Sequence, residues 1–172
     1  MMIQRLVAAM TRREEKRLGA SLEYVRYMSR HSVGALMKFS KLKGISEFRR
    51  VLPKDVFHTA KLVGALHEDC GSCVQIAVNV AKEDGVAPDL IRAVLAGDTE
   101  ALPETAALAH RFTAAVANRS HDEGELRDEL LRRYGDKGVI EMALAIGSAQ
   151  IFPVVKRALG YAEACATSPA TV

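Results

Sequence analysis

Apolar residues recur along most of the chain at the spacing of one helix face. After residue 70, the apolar residues Val74, Ala77, Val78 and Ala81 occupy positions i, i+3, i+4 and i+7, until Gly85 interrupts the run. Intervals of three and four place side chains on one side of a helix, and glycine readily adopts the left-handed conformation that ends one. No segment alternates apolar and polar residues between turn signals, as a half-buried strand does. The pattern therefore predicts an all-α protein.

Residues that favour helix starts and ends divide this pattern into segments. Ser21 and Ser32 are expected to cap helices, Pro53 to occupy the first position of another, and Ser120 with Glu123 to form a capping box. Pro153 is expected to bend the last helix. The predicted helices begin near residue 3 and then cover about 21–30, 33–43, 53–67, 70–85, 89–96, 103 onward, 120–134 and 137–159. Inward residues are expected to include Leu36, Val56, Leu62, Val63, Leu66, Leu108, Phe112 and Val116.

The 172 residues fit one domain that is large enough to bury a core. Aromatic residues are only 5% of the chain and tryptophan is absent, so alanine and aliphatic side chains must fill that core. We expect a helical bundle over residues 53–160, preceded by a helical extension over 1–50 and followed by a disordered tail over 167–172.

Charge is unevenly distributed along the chain. Residues 1–50 contain 12 of the 24 Lys and Arg residues but only 4 of the 21 Asp and Glu residues. The net charge of +3 is too small to imply a nucleic-acid partner. The first helix, with Leu6, Val7 and Met10 on one face, could lie on an anionic membrane, although a solvated helix is the simpler interpretation.

The sequence also gives expectations about secretion, membrane insertion and cellular compartment. Residues 3–10 are too short and too polar for a secretion signal. The most apolar segment, 138–155, contains Glu141, Gln150 and Pro153, so no membrane span is expected. Three cysteines without an export signal predict a protein of the reducing cytoplasm.

Cys70 and Cys73 form the one motif in the sequence that indicates a chemical reaction. Two thiols three residues apart at a helix start can close into a disulfide and open again. Cys73 is expected in the first turn, where unpaired N–H groups and the helix dipole favour a thiolate.

Other polar residues near this motif allow competing interpretations. His67, Cys70 and Cys73 could instead bind zinc, with Glu68 or water as fourth ligand, but structural zinc usually recruits a second Cys or His pair. Neither a metal nor an organic cofactor is therefore expected. We interpret Asn79 as structural, and Lys156 and Arg157 as charges that neutralise a helix end. His31, His110 and His121 are expected at the surface, and Cys165 is expected to be a free thiol.

Residues 53–160 resemble the carboxymuconolactone decarboxylase and alkylhydroperoxidase D family. The resemblance rests on Cys70-Gly71-Ser72-Cys73, the small-residue helix after it, the segment from Ala81 through Gly85-Val86 to Pro88, the Pro103 helix and the apolar last helix. It implies an alkylhydroperoxidase-D-like helical bundle that assembles into symmetric dimers, trimers or hexamers. It further implies reduction of hydroperoxides by the cysteine pair, which an external dithiol protein re-reduces.

The resemblance also suggests roles for single residues. It implies Cys73 as attacking and Cys70 as resolving sulfur. The redox branch of the family has a glutamate twelve residues before the first cysteine and a histidine four after the second, and here these positions hold His58 and Ala77. Imidazole titrates near neutral pH, so His58 is the first candidate proton carrier, followed by His67 and Glu68.

Two functions of different class follow from these observations. The first is a thiol-dependent hydroperoxide reductase, a peroxiredoxin-like oxidoreductase acting on a small organic hydroperoxide or hydrogen peroxide. The second is a non-catalytic helical oligomer of the same family with a vestigial cysteine pair.

Overall fold

The computed structural model describes residues 2–161 and 171–172, with side chains from residue 4 onward, and the regular structure in these ranges is helical throughout. The helices are α1 (Met2–Leu18), α2 (Glu23–His31), α3 (Val33–Phe39), α4 (Leu42–Ser46), α5 (Lys54–His67), α6 (Gly71–Glu83), α7 (Pro88–Ala96), α8 (Glu104–Asn118) and α9 (Glu123–Ala158). The predicted all-α class is confirmed. The expectations for Cys165 and for residues 167–170 of the tail fall outside the described residues.

Helix α5 is the centre of the bundle, because α6, α7, α8 and α9 all pack against it. One side of α5 joins α8 and α9 through Val56, Phe57 and Ala60, and its other side joins α6 and α7 through Leu62 and Val63. Leu66, in contrast, is 37% exposed, so its predicted inward position is wrong. The buried apolar residues of α5 belong to two hydrophobic clusters, one shared with α8 and α9 and the other with α6 and α7. Leu66, in the last turn, belongs to neither cluster.

Small residues let α9 approach α5 closely. A Cβ atom at Gly64 would lie 3.0 Å from the Cβ atom of Ala149, which is tighter than ordinary packing. The alanine-rich composition thus serves close helix packing, as the scarcity of aromatic residues predicts.

Several helix ends follow the sequence signals. Ser32 caps α3 by accepting a hydrogen bond from Ala35 N at 3.2 Å. Gly85 and Gly97 both have left-handed φ, of +76° and +69°, after α6 and α7. Gly135 (φ +64°, ψ −177°) interrupts α9 where the sequence predicts a helix boundary.

Other ends differ from the prediction. Helix α3 ends at Phe39, and the short α4 follows it after a turn. Pro53 and Pro103 precede the first helical residue, with extended ψ of 147° and 144°, because the fixed φ of proline suits the cap position as well as the first turn. Leu22, not Ser21, stands at the cap position of α2.

The predicted capping box at Ser120 is wrong. Asp122 stands at the cap position of α9, without a side-chain cap bond. Ser120 N instead donates to Ala115 O at 2.9 Å, next to Arg119 with its left-handed φ of +55°. Ser120 therefore closes the end of α8 and does not open the next helix.

Helix α1 packs on α2 and α6. Asn79 of α6 donates to Leu18 O at 2.8 Å, and Arg17 pairs with Glu83 at 2.6 Å, so Asn79 has a structural contact as expected. Much of the apolar face of α1 is exposed, since Leu6 is 62% exposed and Met10 is 61% exposed. Thr11 is buried instead, with its hydroxyl donating to Val7 O.

Among the described helices, α9 is long and apolar enough to cross a membrane by length and composition alone, a test that core helices of soluble proteins also pass. Its inward face packs on α5 and α8. It also buries Glu141, whose carboxylate accepts hydrogen bonds from the backbone N–H groups of residues 50, 51 and 52 at 2.8–3.0 Å.

Candidate functional site

The cysteine pair lies at the N-terminus of α6, where the sequence predicts it. Cys70 is the cap residue, and its carbonyl accepts hydrogen bonds from Cys73 N and Val74 N, both at 2.9 Å. A left-handed residue, Asp69 (φ +48°), turns the chain from the end of α5 into this cap. The two cysteines are joined by a disulfide, with their Cα atoms 5.2 Å apart.

Cys70 and Cys73 differ in their exposure to solvent. Cys70 is only 3% exposed, whereas Cys73 is half-buried. Cys73 also lies in the first helical turn, where backbone N–H groups favour a thiolate. A reagent from solvent therefore reaches Cys73 more easily than Cys70.

A buried lysine approaches the pair from the far end of the sequence. Lys156, in the last turn of α9, is 3% exposed, and its Nζ donates to Ser72 Oγ at 2.7 Å. Ser72 Oγ lies 3.9 Å from Cys70 Sγ. The sequence suggests only a helix-end role for Lys156, because nothing local connects it to a serine 84 positions away. The one available signal is its position directly after the most apolar segment.

The neighbouring Arg157 fastens the turn that precedes the pair. Its guanidinium donates to the carbonyl of Glu68 and lies 3.9 Å from the Glu68 carboxylate. His67 is exposed and lines two open surface clefts, one of them shared with Gln150 and Val154. His67 and Glu68 thus flank the turn that leads directly into Cys70.

The structure places His58 elsewhere. His58 is buried, and its Nε2 lies 3.0 Å from Asp84 Oδ2, which also accepts a hydrogen bond from Arg49 at 2.8 Å. Asp84 caps the C-terminus of α6, about 16 Å along the helix from Cys73 at 1.5 Å per residue. The structure therefore brings His58 to Asp84, at the end of α6 opposite the cysteines.

Burial sets the protonation of His58. Removal from water lowers its pKa, and the nearby charge of Lys61 lowers it further. The hydrogen bond to Asp84 raises it, but by less than burial lowers it, so the pKa is below that of free histidine. His58 is accordingly neutral at neutral pH. Ala77, at the family's histidine position, is buried and supplies no proton carrier.

A second polar cluster that the sequence does not reveal lies beside His58. Lys61 donates to the carbonyl and the hydroxyl of Ser46 at 2.8 and 2.7 Å, and its Nζ lies 5.5 Å from the centre of the Phe57 ring. Burial lowers the pKa of Lys61 to about 8. This cluster joins α4 to α5 and lies about one helical turn along α5 from His58.

The alternative metal site is not assembled. Within residues 2–161 and 171–172, no three His, Cys, Asp or Glu side chains converge in a geometry that would hold an ion. His67, Cys70 and Cys73 are therefore not arranged as a three-ligand set.

Comparison of the chain with models of protein families, with curated proteins and with solved structures gives no match. The family resemblance and the activity that it implies thus stay predictions from the sequence motif.

Proposed function

We propose that the protein is a thiol-dependent hydroperoxide reductase whose reacting groups are Cys73 and Cys70. The observation that supports this most is the closed Cys70–Cys73 disulfide at the start of α6, with one sulfur-bearing residue buried and the other partly open. Such a pair has an attacking and a resolving thiol within a single helical turn.

The proposed cycle has three steps. The Cys73 thiolate attacks the O–O bond of a hydroperoxide, which becomes an alcohol as its leaving oxygen takes up a proton, and Cys73 becomes a sulfenic acid. The Cys70 thiol then displaces water from the sulfenic acid and forms the disulfide. An external dithiol protein reduces the disulfide, is itself oxidised to a disulfide, and returns both thiols.

Proton delivery in the first step is assigned to His67 or Glu68, which precede Cys70 in the turn. His58 would act only if a proton path ran along the length of α6. The cycle needs no organic cofactor. We further propose a homo-oligomer in the reducing cytoplasm, where a dithiol protein is available as partner.

The test is consumption of cumene hydroperoxide or hydrogen peroxide by purified protein with dithiothreitol as electron donor. Wild-type protein should turn over, and Cys73→Ser should abolish turnover because it removes the attacking sulfur. In a single turnover of pre-reduced protein without dithiothreitol, Cys70→Ser should leave Cys73 as a sulfenic acid, whereas wild type should form the disulfide. Cys165→Ser is the matched control and should keep full activity. Turnover by Cys73→Ser at the wild-type rate would contradict the proposal.

A second candidate function is supported by Ala77 and His58. The histidine position of the redox branch is a buried alanine, and His58 is held by Asp84. These two departures favour a non-catalytic helical oligomer with a vestigial pair. Redox titration separates the two functions. A reversible two-electron couple between about −120 and −270 mV, the range of cellular dithiol proteins, supports the reductase, and the lack of one supports the vestigial pair.

A further inference from the structure

Lys156 is a buried basic group without a carboxylate partner in the described part of the chain. Its only hydrogen bond there is to Ser72 Oγ, and no Asp or Glu oxygen in residues 4–161 lies within 4.0 Å of its Nζ. Buried ammonium groups are normally paired with an anion, because a hydroxyl alone compensates little of the lost hydration. Within the described residues, the negative partner of Lys156 is therefore to be sought among groups other than Asp and Glu.

A group close to Nζ that can become negative is the cysteine pair after reduction. Ser72 Oγ bridges toward Cys70, so Nζ lies within about 7 Å of the Cys70 sulfur, a range in which charges in a poorly solvated site interact strongly. The disulfide has no charge, whereas reduction creates two ionisable thiols. A thiolate at Cys70 would supply the missing anion.

We propose that Lys156, acting through Ser72, stabilises the thiolate of Cys70 and thereby makes Cys70 the resolving sulfur and the leaving sulfur of the cycle. This inference rests on the redox activity proposed above. Lys156 is a positioning residue, since it acts on the sulfur through the Ser72 hydroxyl.

The role of Cys70 as the leaving sulfur agrees with the different solvent exposure of the two cysteines. When the external dithiol reduces the disulfide, its thiolate attacks the accessible Cys73 sulfur, the S–S bond breaks, and the electron pair leaves with Cys70. A thiol of low pKa leaves faster, so a cation beside Cys70 directs the attack to Cys73. The mixed disulfide on Cys73 is then resolved by the second thiol of the partner, which is oxidised as Cys73 is released.

The interpretation to be excluded is that Lys156 only fastens the end of α9 to α6. In that case its removal would lower stability and leave the ionisation of Cys70 unchanged. The thiol pKa is therefore the decisive readout, because a purely structural contact does not alter it.

The experiment measures the pKa of Cys70 in full-length Cys73→Ser, Cys165→Ser protein, from thiolate absorbance at 240 nm against pH. With Lys156 present, the pKa should lie below about 8.5, the value of free cysteine. Lys156→Met in the same background should raise it by about one unit or more, a tenfold loss of thiolate at lower pH. Lys156→Arg should restore most of the difference.

Two results would overturn the proposal. One is a Cys70 pKa at or above 8.5 with Lys156 intact, which needs no lysine variant and so holds even if Lys156→Met fails to fold. The other is an unchanged Cys70 pKa in a folded Lys156→Met protein. Both leave the reductase itself standing, because its failure would be seen as lack of peroxide turnover.

Discussion

At the scale of single residues, the titratable side chains around α6 divide between its two ends. Lys156 reaches the N-terminal end through Ser72, and His58 binds Asp84 at the C-terminal end. Because a helix of this length separates the two groups, a change at one end should leave the chemistry at the other unaltered. The proton-carrier role of His58 can be tested on this basis.

We predict that His58→Gln lowers the free energy of unfolding and leaves the cysteine chemistry intact. The loss of the hydrogen bond to Asp84 should cost about 1 kcal/mol, a modest value because the Asp84 side chain is 38% exposed. Urea unfolding gives the stability, and absorbance at 240 nm in a Cys70→Ser, Cys165→Ser background gives the thiol pKa of Cys73.

Asp84→Asn is the matched control, because it weakens the same contact from the other partner. It should destabilise by a similar amount. A rise in the Cys73 pKa or a loss of peroxide turnover in His58→Gln, without one in Asp84→Asn, would show that His58 does take part in the chemistry.

At the scale of elements, Glu141 connects α9 to the segment that precedes α5. Its buried carboxylate accepts hydrogen bonds from three consecutive N–H groups, those of Arg50, Val51 and Leu52, which hold the entry into α5 in place. Burial raises the pKa of Glu141, but the three N–H groups lower it by more, so the net pKa is below that of free glutamate.

We predict that Glu141→Gln lowers the free energy of unfolding by about 1–3 kcal/mol, because the amide turns an N–H donor toward backbone donors and leaves at least one of them unsatisfied. Since the folded pKa is depressed, the stabilisation by Glu141 is present above the unfolded pKa, near 4.5, and is lost as the pH falls through the folded pKa.

Urea unfolding at several pH values checks both statements. The acid-dependent part of the stability should be smaller in Glu141→Gln. Glu125→Gln, an exposed change on the same helix, is the control and should alter neither quantity. Equal stability of Glu141→Gln and wild type at neutral pH would contradict the role of this carboxylate.

At the scale of the whole molecule, α9 buries one face and leaves an apolar stripe on the other. Ile140, Gly147, Ile151 and Val154 are exposed, and their spacing places them on one side of the helix. Contiguous exposed apolar surface commonly marks an interface between proteins. This stripe is the place at which the expected homo-oligomer is most readily tested.

We predict that Ile140→Lys shifts the protein to a smaller assembly, because a lysine on this stripe would be desolvated in a helix–helix interface. Light scattering after size-exclusion chromatography measures the mass, and far-UV circular dichroism checks the fold. Lys38→Glu, an exposed change on α3, is the control. An unchanged mass for Ile140→Lys would place any oligomer contact elsewhere.

Much of the architecture was predictable because its signals are local. The period of the apolar residues predicts the helices, and Gly85, Gly97 and Gly135 mark breaks that depend only on their own backbone conformation. Ser120 shows the limit of such signals. The same serine could open one helix or close another, and a hydrogen bond to Ala115 of the preceding helix decided between them.

The candidate site was predictable in its cysteines and not in their surroundings. Cys70 and Cys73 are three residues apart, so a helix start alone brings them together. The serine between them gives no indication of a lysine partner. The family resemblance associates His58 with the cysteines, whereas packing directs its ring to Asp84.

Local sequence signals are enough to predict the helical class, several helix ends and the position of the cysteine pair at the start of α6. These features depend on interactions within a few residues. The tertiary structure alone decided that Lys156 meets Ser72, that Glu141 holds residues 50–52, and that His58 faces away from the pair. Such contacts join residues 26 to 91 positions apart, and they exist only because α5 packs against both α6 and α9.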